Sequence, residues 1–213
     1  MNSRPNNRTM LTEIARYYSA KLEALGETAA GVDWNSEESQ LLRFSQLIKV
    51  IAAPSDISVN DLGCGYGALY PFLIKHFDNI HYHGCDISQS MISAARRRFA
   101  AHPGAEFHIT ASPPVQADYG IASGIFNVCL SNDKNLWLKY IQQTLHSLNQ
   151  TSKRGFAFNC LTSYSDKEKM RDDLYYASPC ALFDYCKRNF SNNVALLHDY
   201  GLYEFTILVK KKL

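Results

Sequence analysis

Asp61-Leu-Gly63-Cys64-Gly65-Tyr66-Gly67 places an acidic side chain ahead of three alternate glycines. Glycine accepts positive φ and lets a ligand approach where a Cβ would otherwise stand. Amides left free at a following helix start favour a polar or anionic ligand group. That combination suits a backbone wrapped closely around a small nucleotide-type cofactor. The acid narrows the choice, because the Asp61 carboxylate would repel a pyrophosphate but attract the ammonium of a bound amino acid. Asp86 lies about 20 residues beyond the turn, a spacing suited to a ribose acid. Its carboxylate ends the strand-like run Ile80-His-Tyr-His-Gly-Cys-Asp86 and can accept both hydroxyls of a ribose.

These residues need elements to hold them. Ile57 to Leu62 alternates as a strand does, and Ala68 to Phe77 carries apolar positions at helical spacing. A strand, a tight turn and a helix therefore follow in order. Upstream, Met10 to Leu25 and Glu37 to Ala52 read as helices, the second started by Ser36 with Glu37, Glu38 and Ser39. The linker from Gly26 to Asn35 contains Trp34, placed either to contact a cofactor or to staple the helix as a core aromatic. Downstream, helices over Ser90–Ala101 and Asn135–Leu148 alternate with strands over Glu106–Thr110, Tyr119–Ser123 and Gly155–Cys160. Such alternation implies a mainly parallel sheet covered on both faces. After the helix Cys180–Asn189, strands Asn193–Asp199 and Tyr203–Lys210 close the chain, joined by Tyr200-Gly201-Leu202.

Gly63-x-Gly65-x-x-Ala68 also satisfies the pattern of a dinucleotide-binding turn, so the glycines alone leave a nicotinamide oxidoreductase open. Asp61 and the closing antiparallel pair argue against it, since an all-parallel dinucleotide fold does not end in a hairpin. From Ile57 onward the chain resembles the class I S-adenosylmethionine-dependent methyltransferases, and a narrower group of small bacterial members over 171–204. The resemblance implies a single-domain Rossmann-like α/β fold, with a seven-stranded mainly parallel sheet, an antiparallel last strand and helices on both faces. It implies S-adenosylmethionine as cofactor, with Asp61, Gly63, Cys64, Gly65, Tyr66 and Gly67 around the methionine part and Asp86 on the ribose. Ile87 and Met91 would flank the adenine, with Ser123, Gly124 and Trp34 completing the pocket. A cofactor-binding sensor or partner subunit without chemistry is the other reading of the same motif.

The domain layout expected is a disordered tail over 1–8, an N-terminal helical lid over 9–56 and a core over 57–213, with substrate recognition in 161–190. A chain of 213 residues suffices for one core. Its net charge of +2 and pI near 8.2 lack the strongly basic balance of a nucleic-acid binder. Ser123-Gly-Ile-Phe-Asn127 also lacks the Asn/Asp-Pro-Pro-aromatic motif of amino-methylating nucleic-acid enzymes of this class. Six cysteines without a C-x-x-C pair read as reduced cytosolic thiols, and no apolar run nears 18 residues, so a cytoplasmic protein without membrane contact is expected. The acceptor expected is a small molecule, and oligomeric state is unreadable.

Ligands of open α/β sheets bind beyond the carboxyl ends of the strands. Besides the turn and Asp86, that edge collects Thr110 to Ser112, Ser123 to Asn127, Asn159 to Tyr164 and His198 to Tyr200. Methyl transfer is an in-line displacement needing little beyond positioning and, for a weakly acidic acceptor, a base. His198 is the candidate base, with Asn159 and Tyr175 as further catalytic candidates. Tyr164, Tyr175 and Tyr176 could wall an acceptor and Arg171 could bind an anion. No metal is expected: His81 and His83 share a face of one strand and His108 lies on another, without an accompanying carboxylate cluster.

Overall fold

The computed structural model describes residues 7–52 and 55–212. Residues 1–6, most of the expected tail, lie outside the described residues, and Asn7 and Arg8 already belong to the first helix. The elements in chain order are α1 (Asn7–Leu25), α2 (Glu37–Leu47), β1 (Ser55–Leu62), α3 (Leu69–Leu73), β2 (Asp78–Asp86), α4 (Gln89–Arg98) and β3 (Ala105–Ile109). They continue with β4 (Ala117–Ala122), α5 (Lys134–Thr151), β5 (Ser152–Thr162), β6 (Tyr176–Ala177), α6 (Pro179–Asn189), β7 (Asn193–Leu197) and β8 (Glu204–Lys210).

The sheet runs β3-β2-β1-β4-β5-β8-β7. The first five are parallel, and β8 is antiparallel to both β5 and β7. The expected closing hairpin is therefore present, with β8 inserted between β5 and β7. An eighth strand is added to the expected seven: Tyr176–Ala177 pairs with the end of β5, at Leu161 and Thr162, inside the connection read as polar and irregular.

The strands alternate between two cores because both faces are covered. Ile57, Val59, Tyr82, Tyr119 and Ile121 point to the face of α2, α3 and α4, meeting Phe44, Leu47, Leu69, Leu73 and Ile92. Leu62, Cys85, Phe156, Phe158, Phe205, Ile207 and Val209 point to the other face, meeting Trp137, Ile141 and Leu145 of α5, Leu182 of α6, and Met10 and Ile14 of α1. Helix starts follow local chemistry. Ser36 and Ser39 form a reciprocal capping box on α2, Ser88 caps α4 through the Met91 amide, and Ser178 with Pro179 opens α6. The helix expected over 68–77 is shorter, since the amides of His76 and Phe77 both turn back to the Leu73 carbonyl at 2.9 Å before β2 begins.

Candidate active site

A cleft lies beyond the carboxyl ends of β1 to β4. Asp61 to Tyr66, Ala68 and Leu69 line it after β1, Asp86, Ile87 and Met91 after β2, Thr110 and Ala111 after β3, and Ser123, Gly124 and Ile125 after β4. Ile14, Tyr18, Val32, Trp34, Gln40 and Phe44 reach it from the N-terminal helices and their linker, and Tyr140 from α5. It encloses about 880 Å³ of space between the side chains, the open solvent at its mouth included.

The turn is tied to the second acid. Gly65, at φ +54°, donates its amide to Asp86 Oδ2 at 2.9 Å, while Oδ1 accepts the Ser88 amide at 2.8 Å. A side chain at Gly65 would be strained at that φ and crowd Val32, with Cγ1 3.2 Å from the missing Cβ. Burial raises the Asp86 pKa, opposed by these backbone donors. Asp61 is 2% exposed and accepts the Tyr82 hydroxyl at 2.5 Å. Its pKa is pushed up to about 7, chiefly by burial; the Tyr82 bond pulls it down and the neighbouring Asp86 charge adds to the rise. Two carboxylates thus stand in one cleft, one deep and one at the mouth of the turn. Ser123 Oγ is buried there without a hydrogen-bond partner, an unmet polar atom of the kind a ligand satisfies.

Trp34 answers both readings given to it. Its ring lines the cleft and lies where a Cβ of Gly124 would be, 2.4 Å from the nearest ring carbon, with Gly124 at φ +75°. The Arg43 guanidinium stacks 4.0 Å from its centroid. Arg43 belongs to a buried network that sequence reasoning missed. Its Nε donates to Glu204 Oε2 at 2.7 Å, and the same carboxylate accepts from Asn159 Nδ2 at 2.7 Å and Asn127 Nδ2 at 3.3 Å. Asn159 Oδ1 in turn accepts the Gly124 amide at 2.7 Å. The only signal in the sequence was an acid, Glu204, opening an otherwise apolar strand run.

Several expected site residues fall elsewhere. Asn159 is fully buried in that network and acts on the backbone of Gly124, with no face on the cleft. His198 is exposed, its ring 6.0 Å from that of exposed Tyr164 and 6.1 Å from that of Phe205, and it does not line the cleft. Tyr175 packs against the core on the α5 side, and its amide donates to the Asn127 carbonyl at 2.8 Å. Gly67 faces away from the cleft, and its missing Cβ makes room for Phe99 and Phe107. Arg171 is paired with Asp173 through Nε at 3.0 Å, so its charge is already met. The other turn residues, Asp86, Ile87, Met91, Ser123, Gly124 and Trp34 do converge on the cleft. The histidines of β2 and β3 were expected without a carboxylate cluster; parallel register sets a single carboxylate, Glu106, opposite His83 and next to His108.

Residues 60–155 match the Methyltransf_12 family model, described as a methyltransferase domain. A Mycobacterium tuberculosis protein, Rv1506c, whose name assigns it provisionally to the methyltransferases, is 56% identical over 164 residues, covering 77% of this chain and 99% of its own. This chain belongs to the class I S-adenosylmethionine-dependent methyltransferase family. Solved structures share the fold at low identity. A DhpI complex with S-adenosylhomocysteine aligns with TM-score 0.68 at 12% identity over 96% of this chain and 98% of its own. An S-adenosylmethionine-dependent methyltransferase from Aquifex aeolicus aligns with TM-score 0.62 at 14% identity over 90% of this chain and 97% of its own.

Proposed function

We propose that this methyltransferase holds S-adenosylmethionine across the cleft from Asp61 to Asp86 and moves its methyl group to oxygen or nitrogen of a small-molecule acceptor. The observation that carries this reading is the pair of carboxylates flanking one glycine turn, with the unmet Ser123 hydroxyl between the strand ends. In this proposal Asp61 takes the ligand ammonium, Asp86 takes the ribose hydroxyls through lone pairs left free by Gly65 and Ser88, and Ile87 and Met91 flank the adenine. The cofactor supplies an electrophilic methyl on a sulfonium. The protein's part is to orient the acceptor for an in-line approach and to exclude water.

Residues 9–56 act as a lid in this reading, since α1, α2 and the Trp34 linker roof the cleft. The acceptor enters beside Tyr18, Ile14 and Tyr140, an aromatic and apolar wall suited to an organic molecule rather than a phosphate backbone. The lining among the described residues includes no histidine. Burial pushes Tyr140 up to about 12 and Tyr18 well above its ordinary value, so neither phenol serves as a base near neutrality. Asp61 and Asp86 are committed to the cofactor. The acceptor must therefore bring its own nucleophile, such as an unprotonated amine or an acidic hydroxyl, and His198 has no role in proton removal. A reducing cytoplasmic setting suits the six unpaired cysteines.

The test is calorimetric binding of S-adenosylmethionine and S-adenosylhomocysteine to the wild type, Asp86→Ala and Gly65→Val, followed by an acceptor screen reading S-adenosylhomocysteine release. Micromolar binding lost in both variants supports the cofactor placement. Undiminished binding in folded variants overturns it. Turnover confined to acceptors that need deprotonation by a base would overturn the self-supplied nucleophile.

A further inference from the structure

Outside the cleft, the β2–β3 edge carries a second cluster with the chemistry of a ligand site. In the parallel register His83 pairs with Glu106 and Cys85 with His108, so His83, Glu106 and His108 project from one face. Glu106 Oε2 stands 3.8 Å from His83 Nδ1 and 3.6 Å from His108 Nε2, and the three ligand atoms all lie within 4.8 Å of one another. These separations are too long for hydrogen bonds. Both ring nitrogens are nevertheless shielded from solvent and lack any hydrogen-bond partner. Two imidazole nitrogens aimed at a gap beside a carboxylate leave unmet donors or acceptors whichever tautomer each ring adopts.

We propose that His83 Nδ1, His108 Nε2 and a Glu106 carboxylate oxygen bind a divalent transition-metal ion, zinc foremost. Two histidines and one carboxylate form a donor set that zinc takes with a fourth position open to water, and imidazole also suits copper and nickel. Metal–ligand bonds of about 2.1 Å at tetrahedral angles set donors ~3.4 Å apart, so the cluster has to contract around the ion. The two imidazoles draw together, and Glu106, whose side chain is 64% exposed, is free to follow them. β3 is the edge strand, so the ion reaches the site from solvent. Bound there it clasps β3 to β2 just before Asp86 and Thr110, and it stabilises the sheet without touching the cofactor, since none of the three ligands lines the cleft.

The test uses tag-free full-length protein stripped with a chelator. Zinc affinity is read by competition with a chromophoric chelator, and cobalt is used as a spectroscopic probe of the donors, for the wild type, His108→Ala and Glu106→Gln. The expected result is one zinc per chain, affinity lowered at least about tenfold in each variant, a zinc-dependent rise in melting temperature absent from His108→Ala, and a cobalt spectrum without a thiolate charge-transfer band. Glu106→Gln changes one exposed side chain and so serves even where His108→Ala fails to fold. Failure of the wild type to take up micromolar zinc, uptake unaffected by Glu106→Gln, or a thiolate band from any of the cysteines would overturn the proposal.

Discussion

Asp61 makes cofactor binding depend on pH in a direction that its surroundings dictate. Burial raises its pKa from an ordinary carboxylate value to about 7, with Tyr82 the restraining partner and Asp86 a further push upward. A shift of roughly three units corresponds to about 4 kcal/mol favouring the protonated form in the free protein. An ammonium placed against Asp61 favours the carboxylate instead, so binding releases a proton below pH 7. With only the ionised form binding, the competent fraction is about 0.03 at pH 5.5 and about 0.5 at pH 7. The dissociation constant of S-adenosylhomocysteine should therefore fall about fifteenfold over that window, in which the ligand amine stays protonated. The assay is calorimetry at both pH values in buffers of different ionisation enthalpy, which also counts the released proton. Asp86, raised as well, contributes some of the slope, and Asp61→Asn isolates the Asp61 part by removing it. A flat profile in the wild type, or an equal slope in Asp61→Asn, would refute the placement of the ammonium against this carboxylate. Stability of the ligand-free protein runs the other way. The unfolded Asp61 ionises near pH 4 while the folded one keeps its proton until about 7, so this group's contribution declines as pH rises between the two and is level above.

Ser123→Ala removes an unpartnered buried hydroxyl and should stabilise the ligand-free protein by about 1 kcal/mol while weakening cofactor binding; chemical denaturation and calorimetry on one preparation check both signs. Glu204→Gln leaves the buried Arg43 guanidinium without its counter-charge and should cost about 3 kcal/mol, read from the denaturation midpoint. Gly124→Ala forces a Cβ into the Trp34 ring at a left-handed φ, so cofactor affinity should drop at least about tenfold while far-ultraviolet dichroism is retained. Trp34→Phe should abolish the fluorescence change on ligand binding, because the other tryptophan, Trp137, is fully buried outside the cleft.

Local chemistry made much of the fold legible. The period of two in Ile57–Leu62, the helical spacing of the flanking runs and the Ser36 and Ser178 caps depend only on near neighbours, and the elements appear within a few residues of where they were expected. The cofactor residues were legible for a related reason. Asp61, the glycines and Asp86 sit at strand ends, and topology carries such ends to one edge. His198, Asn159 and Tyr175 also belong to late strands or their connections, yet they miss the cleft for separate reasons: Asn159 is turned beneath Gly124 into the Glu204 network, Tyr175 packs on the core of the α5 side, and His198 follows the edge strand β7.

Sequence by itself determined a turn built for a ligand, an acid on each side of it, and a mainly parallel sheet closed by a hairpin, since each is a matter of residue type at short spacing. Tertiary structure decided which residues meet across separate elements of the chain. It set Arg43 on Glu204, and through Asn159 fixed the Gly124 backbone under Trp34. It also brought Glu106 to His83 through strand register and raised Asp61 by burial. Charge pairing and desolvation depend on which surfaces meet in the folded core, and periodicity along the chain carries no record of that.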